Sequence, residues 1–484
     1  MDYLLLIILA GVLVFFSAAV NRYLNLLYYR QTFFIIFIAA AVMIILINPK
    51  YGIFLIGATI PLEDVGLVFA GGTFGFTLSK LVGLLTAYAW FMHRIVRQKK
   101  LFGGAGYLTP LAVLLLILTA SVGFSRHPEV GVTSLISFTG FILMYMMIRE
   151  SVEGRRDLSV VANVLAASTA LAAAFGLLQH FTASPIIGMS DYWKLPGYAD
   201  DPFTITGRIR GTYLNPNYYS MHMVMIFPLV FMFFLREKRS VVLKALYLAA
   251  AATILGAVFF AESRAAWLAL LAALTVQSAL VRRARVAGLA ALMIFLGLFA
   301  FQESRYTERA MTVIRFREAP RVSSIGNRRE SLKYWAMIIG DYPLMGVGIN
   351  QAKMNVQRYG FILPTQTHNV FLLLLVENGV FAFLIFVLLL YSVARRLAAH
   401  FAGEKDEFYR SYSAAMLAAI TAFVVFGLFH DNFWTSITWY TFGLASAAPV
   451  IAAGGKRDEE QGGGESPGGG RGEGVYAGRS RKNR

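Results

Sequence analysis

The chain has 484 residues, of which 57% are hydrophobic and only 15% are charged, and its net charge is +17. Ordinary soluble domains carry about 25% charged residues, so this composition excludes a soluble globular protein and requires lipid as the solvent. Because the chain has no cysteine, it has no disulfide or thiolate chemistry, and a metal site would rest on seven histidines and the carboxylates. We predict no metal ion and no cofactor.

Apolar segments of about 16 to 25 residues recur along the chain as far as Ile451, and a segment of that length satisfies its backbone in hydrocarbon only as a helix. Residues 33–47 and 371–390 are apolar on every face, unlike the alternating strands of a β-barrel, so strands are not expected. We predict an all-α polytopic membrane protein of about 12 to 14 transmembrane helices. The count depends on whether residues 48–50 form a kink in one span or a turn between two. Residues 4–20 lack a basic n-region and a cleavage site, which predicts a retained helix.

Short basic connections predict the orientation of these helices. They lie about two hydrophobic segments apart, at residues 93–100, 149–156, 236–244, 282–285 and 395–410. Positively charged connections stay in the cytoplasm, so the loops at 181–212 and 302–367 are expected on the opposite side. The second of these loops carries ten Lys/Arg against five Asp/Glu. This excess indicates either a bound anion or a long loop that is translocated regardless of its charge.

The first polar motif, RIRGTYLNPNYY at residues 208–219, lies where an outer loop re-enters the membrane. Asn215 and Asn217 flank a proline, so the chain turns there, and Asn217 can cap the helix that follows. A helix N-terminus beside Arg210 is also a candidate anion site. Capping alone and anion binding are both open for these residues.

The second motif, ESRAAW, has Arg264 at the outer end of a span whose following residues are apolar. An arginine in hydrocarbon costs at least about 2.5 kcal/mol unless it reaches the interface or finds a partner. Its planar guanidinium suits a phosphate better than lysine does. Arg264 therefore either extends to the interface or binds an anionic ligand.

The third motif, at residues 327–348, predicts an amphipathic helix that lies along the membrane surface and is stopped by Gly340 and Pro343. The apolar residues of this helix are Leu332, Trp335, Met337, Ile338 and Ile339. Arg328 and Arg329 are expected in its first turn, where positive charge opposes the helix dipole. The two arginines are thus predicted to serve a ligand, and contact with lipid headgroups is the alternative.

The fourth motif, THNVF, ends the second outer loop and places His368 and Asn369 at the start of a transmembrane helix. The helix dipole and apolar surroundings should lower the pKa of His368 and keep the imidazole neutral. A neutral imidazole can accept a proton, so His368 is a candidate general base, although a structural role is equally consistent with its position. His430, in an HDN sequence at the outer end of the penultimate span, is a weaker candidate of the same kind.

The same outer face is predicted for all of the candidate residues: Arg210, Arg264, the Arg328/Arg329 pair and His368. Several arginines and one neutral histidine, without a carboxylate pair or a DxD motif, suit a diphosphate leaving group held by cations and a hydroxyl nucleophile. This chemistry needs no metal ion.

The same motifs, in the same order, resemble those of the O-antigen ligase and polymerase superfamily of bacterial inner-membrane glycan transferases. The resemblance spans residues 208–380 and is carried by RxRGTYLNPNYYS, SRAAW, RRESLKYW with DYPLMGVG, and THNVFLLLLVENGVFAFL. The most specific part is the His-Asn pair with Glu377-Asn378-Gly379 in the next span, preceded by the D-x-P-L-x-G-x-G turn. The first half of the chain matches only in its hydropathy.

This resemblance implies a GT-C-like fold and glycan transfer from undecaprenyl diphosphate on the periplasmic side of the bacterial inner membrane. Arg264 and one of Arg328 or Arg329 would hold the donor diphosphate, Arg210 would contact the same anion, and His368 would activate the acceptor hydroxyl. Asn215, Asn217 and Asn369 would support them. The implied partners are a lipid-linked glycan donor, a glycolipid or glycan acceptor and membrane lipids, with no nucleic acid.

The corresponding division of the chain has N-terminal transmembrane helices at 1–180, an O-antigen ligase-like catalytic region at 181–453 that includes a large helical periplasmic loop (302–367), and a disordered cytoplasmic tail at 454–484. A ligase is favoured over a polymerase because of the single long loop with its His-Asn end. A transporter or flippase of an anionic lipid-linked substrate is the alternative from another class. It should have ionisable residues near mid-bilayer in broken helices and in repeated halves, and the sequence reveals neither feature.

Overall fold

A computed structural model describes residues 38–62, 67–71, 74–97, 108–182, 208–213, 215–282, 285, 288–289, 324–361 and 366–462. The predicted first helix at residues 4–20 and most of the predicted tail lie outside the described residues.

The described chain is almost entirely helical. Its helices are α1 (Ile38–Ile47), α2 (Pro49–Thr59), α3 (Leu78–Val96), α4 (Leu108–Phe124), α5 (Pro128–Ser151), α6 (Arg155–Thr182), α7 (Pro216–Arg236), α8 (Val241–Phe260), α9 (Arg264–Leu280), α10 (Ser324–Asp341), α11 (Ala352–Val356), α12 (Val370–Gly403), α13 (Glu407–Gly427) and α14 (Ser436–Gly462). Short 3-10 helices follow α2 (Ile60–Leu62) and α11 (Gln357–Tyr359). Within these residues six helices, α5 to α8, α12 and α13, are long and apolar enough to cross a membrane, and α1, α4 and α9 are shorter apolar helices. The predicted all-α polytopic class is confirmed, while the total of 12 to 14 spans stays a prediction.

Helix α7 forms the centre of the bundle. Residues 219–233 of this helix are all buried, and it packs against α6, α8, α9 and α13. By contrast, the first eight residues of α8 expose large apolar side chains, among them Val241, Val242, Leu246 and Leu248. Exposed apolar side chains of this kind are what a lipid-facing helix presents in a multi-pass bundle.

Charged connections gather at one end of the bundle. The ion pairs at this end are Lys50–Asp157 (2.7 Å), Arg94–Glu150 and Arg155–Asp406 (3.0 Å), and Arg236 donates a hydrogen bond to Ser411 (3.4 Å). These contacts join the basic connections predicted at residues 93–100, 149–156, 236–244 and 395–410. The residues singled out as a candidate site lie at the opposite end of the same helices.

One local feature differs from the predictions, and another concerns residues 48–50, for which a kink and a turn were both open. Residues Leu67–Gly71 (β1) and Phe74–Thr77 (β2) form a small antiparallel hairpin, although no strand was expected. These segments are rich in Val, Phe and Thr, which favour strands, but they are too short to influence the hydropathy pattern. At residues 48–50 the structure has separate helices on either side of Asn48, whose side chain caps α2 by accepting a hydrogen bond from the amide of Lys50 (3.0 Å).

Helix α10 also differs from the predicted surface helix. It begins at Ser324, four residues before Arg328, so the arginine pair lies in its second turn. Its apolar residues divide between two surfaces, because Trp335 and Ile338 are buried while Leu332 and Met337 are 51% and 55% exposed. The buried pair belongs to a small second core, the outer core, formed with Val347, Ala352, Val356, Phe361 and Val376. The outer core attaches α10 and α11 to the beginning of α12.

Helix α12 is broken at Gly379, which has φ 76° and ψ −177°. This conformation is essentially restricted to glycine. The break opens backbone groups that pair with residues 343–348, since Val380 N donates to Pro343 O, Val347 N to Val376 O and Gly348 N to Glu377 O, each at 2.9 Å. The two most specific sequence elements, D-x-P-L-x-G-x-G and Glu-Asn-Gly, therefore interlock in space.

Candidate active site

The segment 208–213 is held against the turn between α8 and α9. Arg208 donates from Nε to the carbonyl of Ala261 (2.8 Å), and the amide of Ile209 donates to the carbonyl of Phe260 (3.3 Å). Arg210 is thereby placed beside the turn that leads into Arg264. Burial lowers the pKa of the Arg210 guanidinium to about 10.

The helix α7 is capped by Asn215, so the prediction that Asn217 caps it is wrong. Asn215 Oδ1 accepts a hydrogen bond from the amide of Asn217 (2.8 Å), and the helix begins at Pro216. The physical reason is that proline fits the first helical position, where its missing N–H is not needed, and the residue before it is restricted to extended backbone. Asn217 instead accepts a hydrogen bond from Arg208 Nη2 (2.9 Å).

Arg264 is the first residue of α9. The preceding Glu262 adopts a left-handed conformation with φ 50°, and Ser263 at the N-cap makes no side-chain capping hydrogen bond. Glu262 and Ser263 are both buried. A helix N-terminus of this kind presents backbone N–H groups and a partial positive charge beside the Arg264 guanidinium, a combination that suits an anion.

Arg328 reaches the same region from α10. Its Nη1 donates to the carbonyl of Phe429 (3.1 Å), and its Nε is buried without a hydrogen-bond partner among the described residues. Burial and then the nearby charge of Arg264 lower the pKa of Arg328 to about 10, and Asp431 acts in the opposite direction. The two guanidinium groups are thus close enough to repel each other. The side chain of Arg329 lies outside the described part of the chain.

His368 lies two residues before the first residue of α12, and not in its first turn as predicted. It has a left-handed backbone with φ 49°, and its Nδ1 is buried without a hydrogen-bond partner in the described chain. The neighbouring Asn369 caps α12 by accepting from the amides of Phe371 (2.9 Å) and Leu372 (3.0 Å). Asn369 Nδ2 also donates to the carbonyl of Leu428 (3.0 Å), which fixes this corner against the end of α13.

The pKa of His368 is lowered to about 3, so the imidazole is neutral. The predicted direction is therefore found, but burial is the main cause, followed by the charge of Arg328 and by His430. Asp431 opposes these effects. Arg264, Arg328 and His368 thus form one connected electrostatic group, although they come from three different segments of the chain.

A His430–Asp431 pair completes this group. The His430 ring centroid lies 5.9 Å from that of His368, and His430 Nδ1 is 3.2 Å from Asp431 Oδ1. Burial alone would raise the pKa of the Asp431 carboxyl, but the neighbouring histidines outweigh it and hold this pKa below its ordinary value. Tyr218 from α7 packs edge-on against His430 at 4.8 Å and donates to the carbonyl of Asp431 (3.3 Å). His430 was predicted as a weaker candidate, and its partner Asp431 was not singled out as a site residue.

His368, His430 and Asp431 could together hold a metal ion, because one ligand atom from each lies within 4.8 Å of the others. Two imidazoles and a carboxylate are a known donor set for Zn²⁺. The electrostatic surroundings oppose a cation, however, since Arg328 and Arg264 adjoin the same group. The geometry therefore permits a metal ion that the charges disfavour.

Comparison with known proteins adds independent information. A family model described as O-antigen ligase matches residues 249–387, and no curated protein is significantly similar to the chain. The matched residues include Arg264, Arg328, Arg329 and His368, whereas Arg210 lies before them. The match supports, in general, a membrane glycosyltransferase of O-antigen ligase or polymerase type, a family whose substrates are lipid-linked glycans. Residues 249–387 of this multi-pass membrane protein are therefore similar to the O-antigen ligase family, the superfamily that the sequence motifs resemble.

Proposed function

We propose that the chain is a glycosyltransferase that moves a glycan from undecaprenyl diphosphate to an acceptor hydroxyl, as an O-antigen ligase does. One observation carries the proposal: the guanidinium of Arg328 adjoins both Arg264 and a neutral His368, whose Nδ1 has no hydrogen-bond partner among the described residues. The arginines supply binding for an anionic leaving group, and the imidazole supplies a proton acceptor.

The donor diphosphate would bind between Arg264 and Arg328. Two cations held close together repel each other, and an anion between them removes this repulsion and adds charge-assisted hydrogen bonds. Backbone N–H groups at the start of α9 supply further donors. Arg210 contacts the same anion from the neighbouring segment. Between the two adjacent arginines of α10, we assign the diphosphate to Arg328.

His368 would become a base when the donor binds. Without a donor its pKa of about 3 makes it a weak proton acceptor, because catalytic bases work best with a pKa near the operating pH. A bound diphosphate offsets the charge of Arg328 and adds negative charge nearby, and both changes raise the pKa of His368. Asp431 acts in the same direction. Donor binding would thus switch the base on.

The reaction is a one-step displacement. The acceptor hydroxyl oxygen attacks the anomeric carbon, a new C–O bond forms, and the bond from that carbon to the diphosphate oxygen breaks. The bonding electrons leave with undecaprenyl diphosphate, and His368 takes the hydroxyl proton. Attack from the face opposite the leaving group inverts the anomeric configuration.

We assign the site to the periplasmic face of the bacterial inner membrane. Support comes from the ion-paired end of the bundle, which holds the basic connections that the positive-inside rule assigns to the cytoplasm. The site lies at the other end. On this assignment residues 181–453 are the catalytic region.

Two other functions are kept as alternatives. A polymerase would use the same site with a second lipid-linked glycan as acceptor, and the motifs do not separate it from a ligase. A transporter or flippase gains one specific observation, because α12 is broken at Gly379 and carries the buried Glu377. The break lies within three turns of the outer end of α12, which fits an outer-face site better than a mid-bilayer pathway.

The test is turnover of a purified undecaprenyl-diphosphate oligosaccharide by the reconstituted protein. His368→Ala and Arg264→Ala should lose activity. Lys353→Ala, which removes an exposed cation on α11, serves as the matched control. Transfer that requires an added acceptor identifies a ligase, and a ladder of longer lipid-linked chains identifies a polymerase. Full activity in both site variants would refute the assigned roles, and donor movement across vesicles without turnover would establish transport.

A further inference from the structure

The proposed mechanism does not use the interlocked motifs at residues 343–352 and 377–379. Glu377 is the ionisable residue of residues 377–379 and is only 3% exposed, inside an otherwise apolar helix. An ionisable side chain buried at such a position is expensive and indicates a function. Its surroundings identify what that function is.

We call residues 324–361, which include α10 and α11, the outer region. Glu377 binds the outer region to α12 through both its side chain and its backbone. Its carboxylate accepts hydrogen bonds from the backbone amides of Ala352, at 3.2 Å, and Asn350. These amides precede and begin α11. Its backbone carbonyl accepts from the amide of Gly348 and from Ser121 Oγ on α4, both at 2.9 Å. A single residue thus ties together α4, α11, the 343–348 turn and α12.

The backbones on the two sides approach as closely as the chain allows. Gly346 and Gly348 have positive φ angles of 66° and 103°. A Cβ atom at Gly346 would collide with the backbone of Glu377, and one at Gly379 with the carbonyl of Leu344. This close packing makes the contact rigid.

The contact lies between the two halves of the candidate site. On one side α10 carries Arg328 and is joined to the 343–348 turn through the buried Trp335 of the outer core. On the other side Asn369 caps the start of α12, and His368 directly precedes this cap. The separation of Arg328 from His368 is therefore set by how the outer region docks onto the break in α12.

We propose that Glu377 is a positioning residue, whose carboxyl locks the outer region onto the broken α12 and so holds Arg328 at its working distance from His368. This inference rests on the proposed function, in which these two residues act together on one donor. Glu377 lies away from the reacting atoms, and it acts through the groups that it holds. A displacement of about 1 Å can cost about 100-fold in rate, so a loss of this lock should reduce kcat strongly.

Two substitutions of Glu377 distinguish the loss of its acceptor oxygen from the loss of its ionisable group. Glu377→Gln keeps the acceptor oxygen for the amides of Asn350 and Ala352, and the second oxygen, Oε2, has no hydrogen-bond partner among the described residues. We expect this variant to retain kcat within about threefold, whereas Glu377→Ala should lose about 100-fold in kcat with a small change in KM for the donor. Thr119→Ala is the control, because this exposed hydroxyl, also on α4, donates to the Leu115 carbonyl of its own helix.

Positioning has a readout that does not depend on activity. The chain has no cysteine, so spin labels can be placed at Lys333→Cys on α10 and Gln366→Cys next to His368, both exposed positions. Electron–electron distance measurements should give a narrow distribution in the parent, Glu377→Gln and Thr119→Ala proteins and a broad or shifted one in Glu377→Ala. An unchanged distribution or full kcat in Glu377→Ala would overturn the proposal, as would a Gln variant as defective as Ala. If the distances respond as expected while the parent protein transfers no glycan, the proposed function fails and the positioning role stands.

Discussion

The coupling between donor binding and the basicity of His368 gives a prediction about pH dependence. In the protein without donor, the pKa of His368 is lowered from 6.5 to about 3, so protonation of its imidazole is about 5 kcal/mol less favourable than in water. His368 thus stays neutral in the free protein at every pH at which the protein is handled. A lipid-linked diphosphate diester stays ionised over the same range, so its own titration does not interfere.

The two kinetic constants should therefore respond differently to pH. The constant kcat/KM for the donor reports on the free protein and should be flat between pH 5 and pH 8. The constant kcat reports on the bound complex, in which the pKa of His368 has risen, and it should fall about tenfold for each pH unit below that raised value.

The assay is initial-rate measurement across this pH range at saturating acceptor. Arg328→Gln supplies the control, because removing the second cause of the low pKa should bring an acidic limb into kcat/KM even though donor binding weakens. The readout is the pH at which this acidic limb lies, and the absolute value of kcat/KM is not used. An acidic limb near pH 6.5 in kcat/KM of the parent protein, or a kcat that is flat down to pH 5, would refute the reasoning.

Three further predictions concern the parts of the site. Asn369→Ala removes the α12 cap and its bond to the Leu428 carbonyl, so the free energy of unfolding should fall by about 1 kcal/mol. Because His368 adjoins this cap, kcat should fall by more than the loss of folded protein explains; thermal unfolding and initial rates measure the two effects. Chelation with EDTA should leave turnover unchanged because Arg328 disfavours a cation beside His368, and loss of activity that Zn²⁺ restores would contradict this. Gly379→Ala should greatly reduce folded yield, since its φ of 76° and the Leu344 carbonyl exclude a Cβ, and a monodisperse size-exclusion peak at the parent yield would contradict it.

The features that could be predicted from the sequence are those encoded over short stretches. Long apolar runs give the membrane class, because the backbone has no alternative to helix in hydrocarbon. The basic connections predicted which loops share an end, and the ion pairs at that end agree. The candidate residues could be gathered on one face for the same reason, since the parity of helices assigns each loop to a side.

The features that could not be predicted depend on contacts between distant residues. Arg328 donates to the carbonyl of residue 429, which is 101 positions away, and Ser121 bonds to Glu377 across 256 positions. No local pattern indicates which partner a buried arginine or glutamate will meet. Asp431 was missed for this reason, because its effect on His368 depends on the docking of α13 beside the start of α12. Glu377 was named only as part of the Glu377-Asn378-Gly379 element of the resemblance, although an acidic residue inside a 20-residue apolar run is a signal of its own.

The low basicity of His368 in the protein without donor determines when the acceptor hydroxyl can be deprotonated. Without a donor, a protein with an active base would expose that base to any hydroxyl that enters the site, including water. Burial and the charge of Arg328 keep the base off, and only a ligand that brings negative charge to the arginines removes that restraint. The donor must then bind before the acceptor hydroxyl can be deprotonated. Undecaprenyl diphosphate, which would occupy the same arginines as the donor, should therefore inhibit competitively against the donor in product-inhibition kinetics.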